Sequence, residues 1–187
     1  MENSSKDELT DADLLQLSAN GDEEAFVILY RRHQGPVFRF ALHMSGSRET
    51  AEEVTQDVFL ALLAGLRQYA RERPLQPYLV GMARNQVRRY LAHAHESSQQ
   101  AGNLQHNQTE RLLDEISEEQ ELARMRAAIL KLPPNYREVV VLCDVEGLEY
   151  AQAAAQLDCA VGTVRSRLHR ARAILESRLR KRERCRV

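Results

Sequence analysis

A polar stretch near the middle of the chain restricts most strongly how this sequence can fold. Residues 96–107, ESSQQAGNLQHN, contain one leucine and no other large aliphatic residue. A segment of this kind cannot bury enough apolar surface to offset the entropy that is lost when it becomes ordered. We therefore predict two small domains, at 11–95 and 118–182, joined by a flexible polar linker at 96–117.

The residue composition favours helices in both domains. Aromatic residues make up 5% of the chain, alternating apolar patterns hardly occur, and Ala, Leu, Glu, Gln and Arg dominate, so strand signals are scarce. One exception is REVVVLCDV (137–145), where three consecutive valines suggest a buried strand. A lone strand would have no partner in such a sequence, so we predict a buried helix there and an all-α fold for the chain.

The first domain carries several helix-start signals. Asp11 or Asp13 can cap a helix that runs to about Asn20, because a short acceptor side chain satisfies the free N–H groups of a first turn. Asp22 can cap a second helix in the same way, and Pro36 can begin a third, because proline suits the first helical position.

A fourth helix, TAEEVTQDVFLALLAGL (50–66), has an unusually wide apolar stripe. Thr50 and Glu53 form a capping-box pattern at its start. One face of it is lined by Ala51, Val54, Val58 and Ala61, and the stripe is widened by Phe59, Leu62, Leu63 and Leu66. A helix that is apolar over more than one face packs against two surfaces, and the second can be core or a partner protein.

The next helix, YLVGMARNQVRRYLAHAH (78–95), interleaves basic and aromatic side chains. Tyr78, Arg84, Asn85 and Arg88 are its polar and aromatic candidates. Such a mixture suits single-stranded nucleic acid, since bases stack on rings while arginine neutralises the backbone. A solvated amphipathic surface helix is the alternative explanation.

The second domain has the pattern of a helix-turn-helix. A helix face stops at LPP (132–134), because proline cannot continue a helix. Asn135 is then predicted to cap a helix, and Gly147 to end it in the left-handed conformation. A short helix, EYAQAAAQL, meets the turn DCAVG and a basic helix, VGTVRSRLHRARAIL (161–175).

The basic helix separates apolar and polar side chains. At 100° per residue one narrow arc holds Val161, Val164, Leu168, Ala171 and Leu175. The other arc and its edges hold Gly162, Thr163, Arg165, Ser166, Arg167, His169, Arg170 and Arg172. Arginine is the commonest bidentate reader of guanine edges, and Ser and Thr can bind bases or phosphate, so the pattern predicts DNA binding. A solvated helix is the alternative, but Glu and Lys would serve that purpose.

The charge is strongly segregated although the formal net charge is only -1. Residues 1–30 hold eight acidic side chains and one lysine, whereas residues 162–187 hold ten Lys or Arg and two Glu. A basic block of this kind favours a polyanionic partner. The acidic, polar N-terminus does not resemble a signal peptide, and no run approaches the roughly 18 apolar residues of a membrane span, so we expect a cytoplasmic protein with no direct membrane insertion.

No catalytic or metal-binding pattern stands out. Cys143, Cys159 and Cys185 are far apart and are expected to be reduced thiols. His93 and His95 lie on nearly opposite faces of a helix, and the remaining histidines, His33, His43, His106 and His169, are expected at the surface. We therefore predict no enzyme, no metal site and no cofactor.

With these motifs in view, the chain resembles the extracytoplasmic-function (ECF) class of bacterial sigma factors, the specificity subunits of RNA polymerase. The segment from LPPNYREVVVLCDVEG through VGTVRSRLHRARAIL (132–175) is similar to the family's region four. AEEVTQDVFLALL (51–63) resembles the region-two helix that binds the clamp helices of the polymerase largest subunit, and YLVGMARNQVRRYLA (78–92) resembles a neighbouring region-two segment.

The resemblance implies a role for each surface. The basic helix would bind the minus-thirty-five element through Thr163, Arg165, Ser166, Arg167, His169, Arg170 and Arg172. Unstacked bases of the minus-ten element would be captured by Tyr78, Arg84, Asn85, Arg88 and the loop at 67–77. Core RNA polymerase would contact Gln56, Asp57 and Phe59. Family members are commonly held inactive by an anti-sigma factor, which adds a third expected partner to polymerase and promoter DNA.

Two departures from the family pattern bear on promoter recognition. Tyr78 stands where the family usually has tryptophan, and Ala160 where a proline often opens the basic helix. A stand-alone helix-turn-helix regulator is the alternative function. It would need a dimer interface or a ligand pocket in the first domain, and the sequence has neither a heptad seam nor a polar-studded cavity pattern.

Overall fold

The computed structural model describes residues 6–66, 74–100 and 118–184. Within these ranges the chain forms helices and turns without strands, which confirms the all-α prediction. The helices are α1 (Asp11–Ala19), α2 (Glu23–Ser45), α3 (Arg48–Gly65), α4 (Leu75–Gln100), α5 (Glu118–Leu130), α6 (Pro134–Val140), a π-helical turn (Val141–Val145), α7 (Tyr150–Leu157) and α8 (Val161–Arg184).

The helix starts in the first half differ partly from the predicted ones. Asp22 caps α2 as predicted, its carboxylate accepting from Ala25 N–H at 3.1 Å. The cap of α1 is Thr10 rather than an aspartate, and Asp13 completes a capping box with it. The cap of α3 is Ser47 rather than Thr50; the Ser47 hydroxyl accepts from Thr50 N–H at 3.2 Å. In both cases an earlier hydroxyl satisfies the free N–H groups of the first turn.

The prediction that Pro36 begins a helix is wrong. Pro36 lies inside α2, so the predicted second and third helices are one continuous helix. A proline in a helix interior removes one backbone hydrogen bond and crowds the preceding turn. Here Leu29 before it and Val37 and Phe40 after it are fully buried, so packing on both sides of the proline outweighs its local cost.

Three consecutive valines, 139–141, form a buried helix as predicted. They lie where α6 passes into the π-helical turn, and all three are buried. The predicted cap is wrong by two residues, because Pro133 occupies that position and Pro134 opens the helix. Gly147 has φ of 69°, as the predicted left-handed end requires.

The core of the first half forms around α2, which packs against α1, α3 and α4. His33, expected at the surface, is buried there, and its Nε2 lies 2.8 Å from an Asp11 carboxylate oxygen in α1. In the second half α8 packs across α6, α7 and α5. The two halves also touch, because α2 contacts both α5 and the π-helical turn.

The segment predicted as a linker begins inside a helix. The backbone of α4 continues to Gln100, because Ala, Glu, Gln and Ser can extend a helix that has already formed. Residues 101–117 lie outside the described ranges, and the domain bounds stay a prediction.

Cys143 and Cys159 are free thiols, whereas Cys185 falls outside the described part of the chain. None of the described helices has the length and apolar character of a membrane span.

Candidate nucleic-acid interface

The basic helix α8 is held by a short turn from α7. Asp158 ends α7 with φ of 49°, the left-handed conformation that short polar side chains tolerate better than most. The N–H of Cys159 then bonds to the Ala154 carbonyl at 3.1 Å. Three residues, 158–160, therefore connect the two helices, a length typical of a helix-turn-helix.

One face of α8 forms the predicted buried seam. Val164, Leu168, Ala171 and Leu175 are buried against the other helices of the second half. Val161 is the exception, with 37% of its surface exposed, because it lies at the first helical position, ahead of the first buried residue. The seam fixes the rotation of α8 about its own axis, and the rotation determines which side chains face solvent.

The opposite face presents most of the predicted DNA-binding residues to solvent. Thr163 and Arg167 are half-buried at its edges, and the exposed ones are Arg165, Ser166, His169, Arg170 and Arg172. Arg165 also lies over the ring of Tyr150, 5.9 Å from the ring centroid, within the range of a cation–π contact. The exposed face is therefore basic, and the Tyr150 ring of α7 orients one of its arginines, Arg165.

Arg172 is paired with a carboxylate that sequence analysis missed. Its Nε and Nη2 donate to the two carboxylate oxygens of Asp144 at 3.0 and 2.5 Å. These hydrogen bonds raise the pKa of the Arg172 guanidinium above its ordinary value. Asp144 lies 28 residues earlier in the sequence, and no local pattern links the two positions. Any phosphate that binds Arg172 competes with this carboxylate.

The predicted single-strand surface is only partly exposed. On α4, Asn85 and Arg88 face solvent, and Tyr78 is 39% exposed. The Arg84 side chain is 14% exposed. Its Nε and Nη2 donate to the Glu138 carboxylate at 3.1 and 3.4 Å, and its Nη1 donates to the Gln156 carbonyl at 2.9 Å. Of the predicted loop at 67–77, residues 67–73 lie outside the described ranges.

A groove between α2 and α3 contains two of the three predicted polymerase contacts. The groove has a volume of about 630 Å³, and both Gln56 and Phe59 line it. The Phe59 ring packs edge-on against Tyr30, with ring centroids 4.8 Å apart. Asp57 points elsewhere, since it accepts a hydrogen bond from the Tyr90 hydroxyl of α4 at 3.3 Å.

Exposed leucines make the rim of this groove apolar. Leu60 and Leu63 line the groove and are 56% and 48% exposed. The sequence marked Leu63 as part of a wide stripe, but it could not separate a second core face from an exposed one. Large exposed apolar side chains that cluster at a groove are typical of a protein-binding surface.

Comparison with known proteins identifies the family. The Sigma-70 region 2 family model matches residues 29–96, and the Sigma-70 region 4 model matches residues 122–175. The ECF RNA polymerase sigma factor EcfG of Rhodopseudomonas palustris is 33% identical over 147 residues, which cover 75% of this chain and 77% of that protein. This chain belongs to the ECF sigma factor family.

Two further ECF sigma factors are similar over most of the chain. SigM of Mycobacterium tuberculosis is 30% identical over 90% of this chain and 84% of its own length. SigE of Mycolicibacterium smegmatis is 32% identical over 87% of this chain, which spans 66% of that protein. Members of this family are transcription initiation factors and not enzymes, so RNA polymerase supplies the catalysis.

Solved structures share the fold of this ECF sigma factor. CnrH, solved in complex with the cytosolic domain of CnrY, aligns with a TM-score of 0.69 at 27% identity, covering 91% of this chain and 97% of CnrH. The sigma factor RpoE of Bartonella quintana, solved with the anti-sigma factor NepR, aligns with a TM-score of 0.65 at 23% identity, covering 84% and 96%.

Proposed function

We propose that the protein directs core RNA polymerase to promoters whose minus-thirty-five element is read by α8. The exposed basic face of α8, set against a buried seam, is the observation that carries this proposal. Because the seam holds the helix in one rotation, the arginines are presented together and can enter a major groove. We assign the base edges to Arg165, Ser166, His169 and Arg170. The side chains that flank them, Thr163, Arg167 and Arg172, are assigned to the same minus-thirty-five element.

The minus-ten element is assigned to α4. Asn85 and Arg88 are exposed on this helix, and Tyr78 offers an aromatic ring at its start. A ring and cationic side chains on one helix can stack an unpaired base and neutralise its phosphate. Arg84 belongs to the same surface once its contact with Glu138 opens. This part of the proposal rests on the family resemblance together with these exposures.

The apolar groove between α2 and α3 is assigned to core polymerase. Leu60 and Leu63 present apolar surface at its rim, and Gln56 and Phe59 lie along it. The third proposed partner is an anti-sigma factor, and we propose that the protein acts in the cytoplasm. Its support is that CnrH and the Bartonella RpoE were both solved with a bound protein.

Run-off transcription with purified core polymerase tests the proposal. A pool of promoter fragments is transcribed with core polymerase alone and with core polymerase plus this protein. We expect discrete transcripts from a subset of promoters only when the protein is present. Equal transcript patterns in the two reactions would refute a sigma function and leave the helix-turn-helix regulator as the account to test.

Loss of one base-reading arginine is expected to weaken discrimination. Arg165→Ala or Arg170→Ala, assembled with core polymerase, is expected to lose about 1 to 3 kcal/mol of preference between promoter and non-promoter duplexes. The relaxation should be confined to the base pairs nearest the missing side chain. Competition binding over a library of minus-thirty-five sequences measures it.

Arg180→Ala is the matched control. It removes the same charge from the same helix, but its partner is Glu176 one turn earlier and it lies beyond the buried seam. We expect unchanged preference in this variant. Wild-type preference in both Arg165→Ala and Arg170→Ala would remove them from the base-reading set.

A further inference from the structure

The contact between the two halves of the chain contains a residue that the proposed function assigns to DNA. Arg84 uses all three of its guanidinium nitrogens in this contact: Nε and Nη2 on the Glu138 carboxylate, and Nη1 on the Gln156 carbonyl. Glu138 lies in α6 and Gln156 in α7, whereas Arg84 lies in α4. Both ends of the ion pair are almost fully shielded from water.

Other hydrogen bonds join the halves around this pair. Arg39 Nη2 lies 3.2 Å from the carboxylate of Glu146, whose side chain is 0% exposed. Further bonds between the described parts of the two halves run from Arg137 to the Met44 carbonyl at 2.9 Å, from Gln156 to the Pro77 carbonyl at 2.5 Å, and from Gln76 to the Glu146 carbonyl at 3.4 Å. Each half therefore contributes both donors and acceptors, which is typical of a specific interface.

This arrangement cannot bind both promoter elements. Gln156 touches Arg84 and lies five positions before the start of α8 at Val161; a stretch of five residues spans at most about 18 Å. Elements centred near minus ten and minus thirty-five are about 25 base pairs apart, or about 85 Å at 3.4 Å per base pair. Simultaneous contact therefore requires the two halves to separate.

We propose that the chain restrains itself in a closed state, in which the Glu138 carboxylate occupies the place on Arg84 that DNA takes during promoter binding. The proposal rests on the proposed function, since it concerns the availability of the minus-ten surface. A carboxylate and a phosphate are both oxygen acceptors for a guanidinium, and both favour paired hydrogen bonds. Opening releases Arg84 and lets α4 and α8 move apart, so the same side chain serves the closed state and the DNA-bound state.

The test uses the full-length protein and the variant Glu138→Gln. Small-angle X-ray scattering measures its size, and fluorescence anisotropy measures its binding to a labelled random-sequence single-stranded DNA pool. A compact chain of this length has a radius of gyration of about 16 Å. We expect Glu138→Gln to increase the radius of gyration by several ångströms and to raise the affinity for the DNA pool about tenfold. The second figure applies if the wild-type protein is open about one time in ten, because such a protein binds about ten times more weakly than one that is always open.

Glu176→Gln is the matched control. It makes the same change in net charge in the second half, at an exposed position paired with Arg180. We expect neither expansion nor tighter DNA binding.

A second variant, Arg39→Gln, removes a bond of the same contact from the side of the first half. It should expand the protein and strengthen DNA binding even though it removes a positive charge, which by itself would weaken binding. Thermal unfolding followed by circular dichroism shows whether each variant is folded.

Two results would overturn the proposal. If folded Glu138→Gln and Arg39→Gln both match Glu176→Gln in size and in DNA affinity, the contact does not restrain the chain. If they expand without gaining DNA affinity, Glu138 does not compete with DNA for Arg84. Run-off transcription by the wild-type protein distinguishes both of these results from a failure of the sigma function. A sigma factor without this restraint would still produce specific transcripts.

Discussion

Leu168→Ala is expected to destabilise the second half of the chain by about 2 to 5 kcal/mol, the usual cost of removing a buried leucine side chain. Leu168 is 2% exposed and lies in the middle of the α8 seam. Alanine favours helix at least as strongly as leucine, so the loss measures packing and not helix propensity. Domains of this size are stable by about 5 to 15 kcal/mol, so the effect is a large share of the total. Urea unfolding followed by circular dichroism measures it.

Arg170→Ala is the control for this prediction. It changes an exposed residue two positions along the same helix, and exposed substitutions usually shift stability by no more than about 0.5 kcal/mol. Leu168→Ala should therefore lower stability and DNA binding together, whereas Arg170→Ala should lower only DNA discrimination. If Leu168→Ala cost less than about 1 kcal/mol, the apolar side of α8 would not be packed as described, and the orientation of the basic face would lose its support.

Glu146 is expected to make stability depend on pH near neutrality. Burial raises the pKa of Glu146 to about 7 from an ordinary value of 4.5, and the Arg39 guanidinium only partly counteracts the shift. One of its carboxylate oxygens also has no hydrogen-bond partner among the described residues. A buried carboxyl with a raised pKa holds its proton in the folded state at pH values where the unfolded chain has released it.

The sign of the effect follows from this difference in bound protons. Between pH 4.5 and about 7 the folded chain binds more protons at Glu146, so raising the pH through this window lowers stability. A difference of about 2.5 pKa units corresponds to about 3 kcal/mol. Glu146→Gln keeps the shape without the charge, and we expect it to abolish this slope and to stabilise the protein by up to about 3 kcal/mol above pH 7.

Urea unfolding at pH values from 4.5 to 8 tests this prediction, with Glu176→Gln as the control. Glu176 is exposed, so its replacement should leave the wild-type slope in place. An unchanged slope in Glu146→Gln would assign the pH dependence to another group. Equal stability of Glu146→Gln and the wild-type protein at pH 8 would show that the buried carboxylate is not costly.

Periodicity of apolar residues was the most informative signal in the sequence. It predicted most of the α8 seam, because a buried seam depends on which side chains leave water. The helical class and the buried helix at residues 139–141 were predicted instead from the composition and from the lack of a partner strand. Helix boundaries were less predictable. Pro36 has the local pattern of a helix start, yet the core packing of α2 on both sides of it overrides that pattern.

Long-range contacts were the part that sequence analysis could not supply. Arg84 carries the pattern of a nucleic-acid contact, but its three donors are engaged by residues 54 and 72 positions away. The pairing of Arg172 with Asp144 has the same character. Charge and spacing predict that an arginine lies on a polar face; they do not predict which acceptor in the folded chain lies opposite it.

Site-specific photocrosslinking in the transcription initiation complex tests the central claim most directly. A photoreactive amino acid is placed at Ser166, in the middle of the exposed face of α8, and in a control protein at Glu176, beyond the buried seam. The account predicts that the probe at Ser166 crosslinks duplex DNA at the minus-thirty-five element of a promoter bound with core polymerase, and that the probe at Glu176 does not. Crosslinks from Ser166 to protein alone, or to DNA without preference for that element, would contradict it.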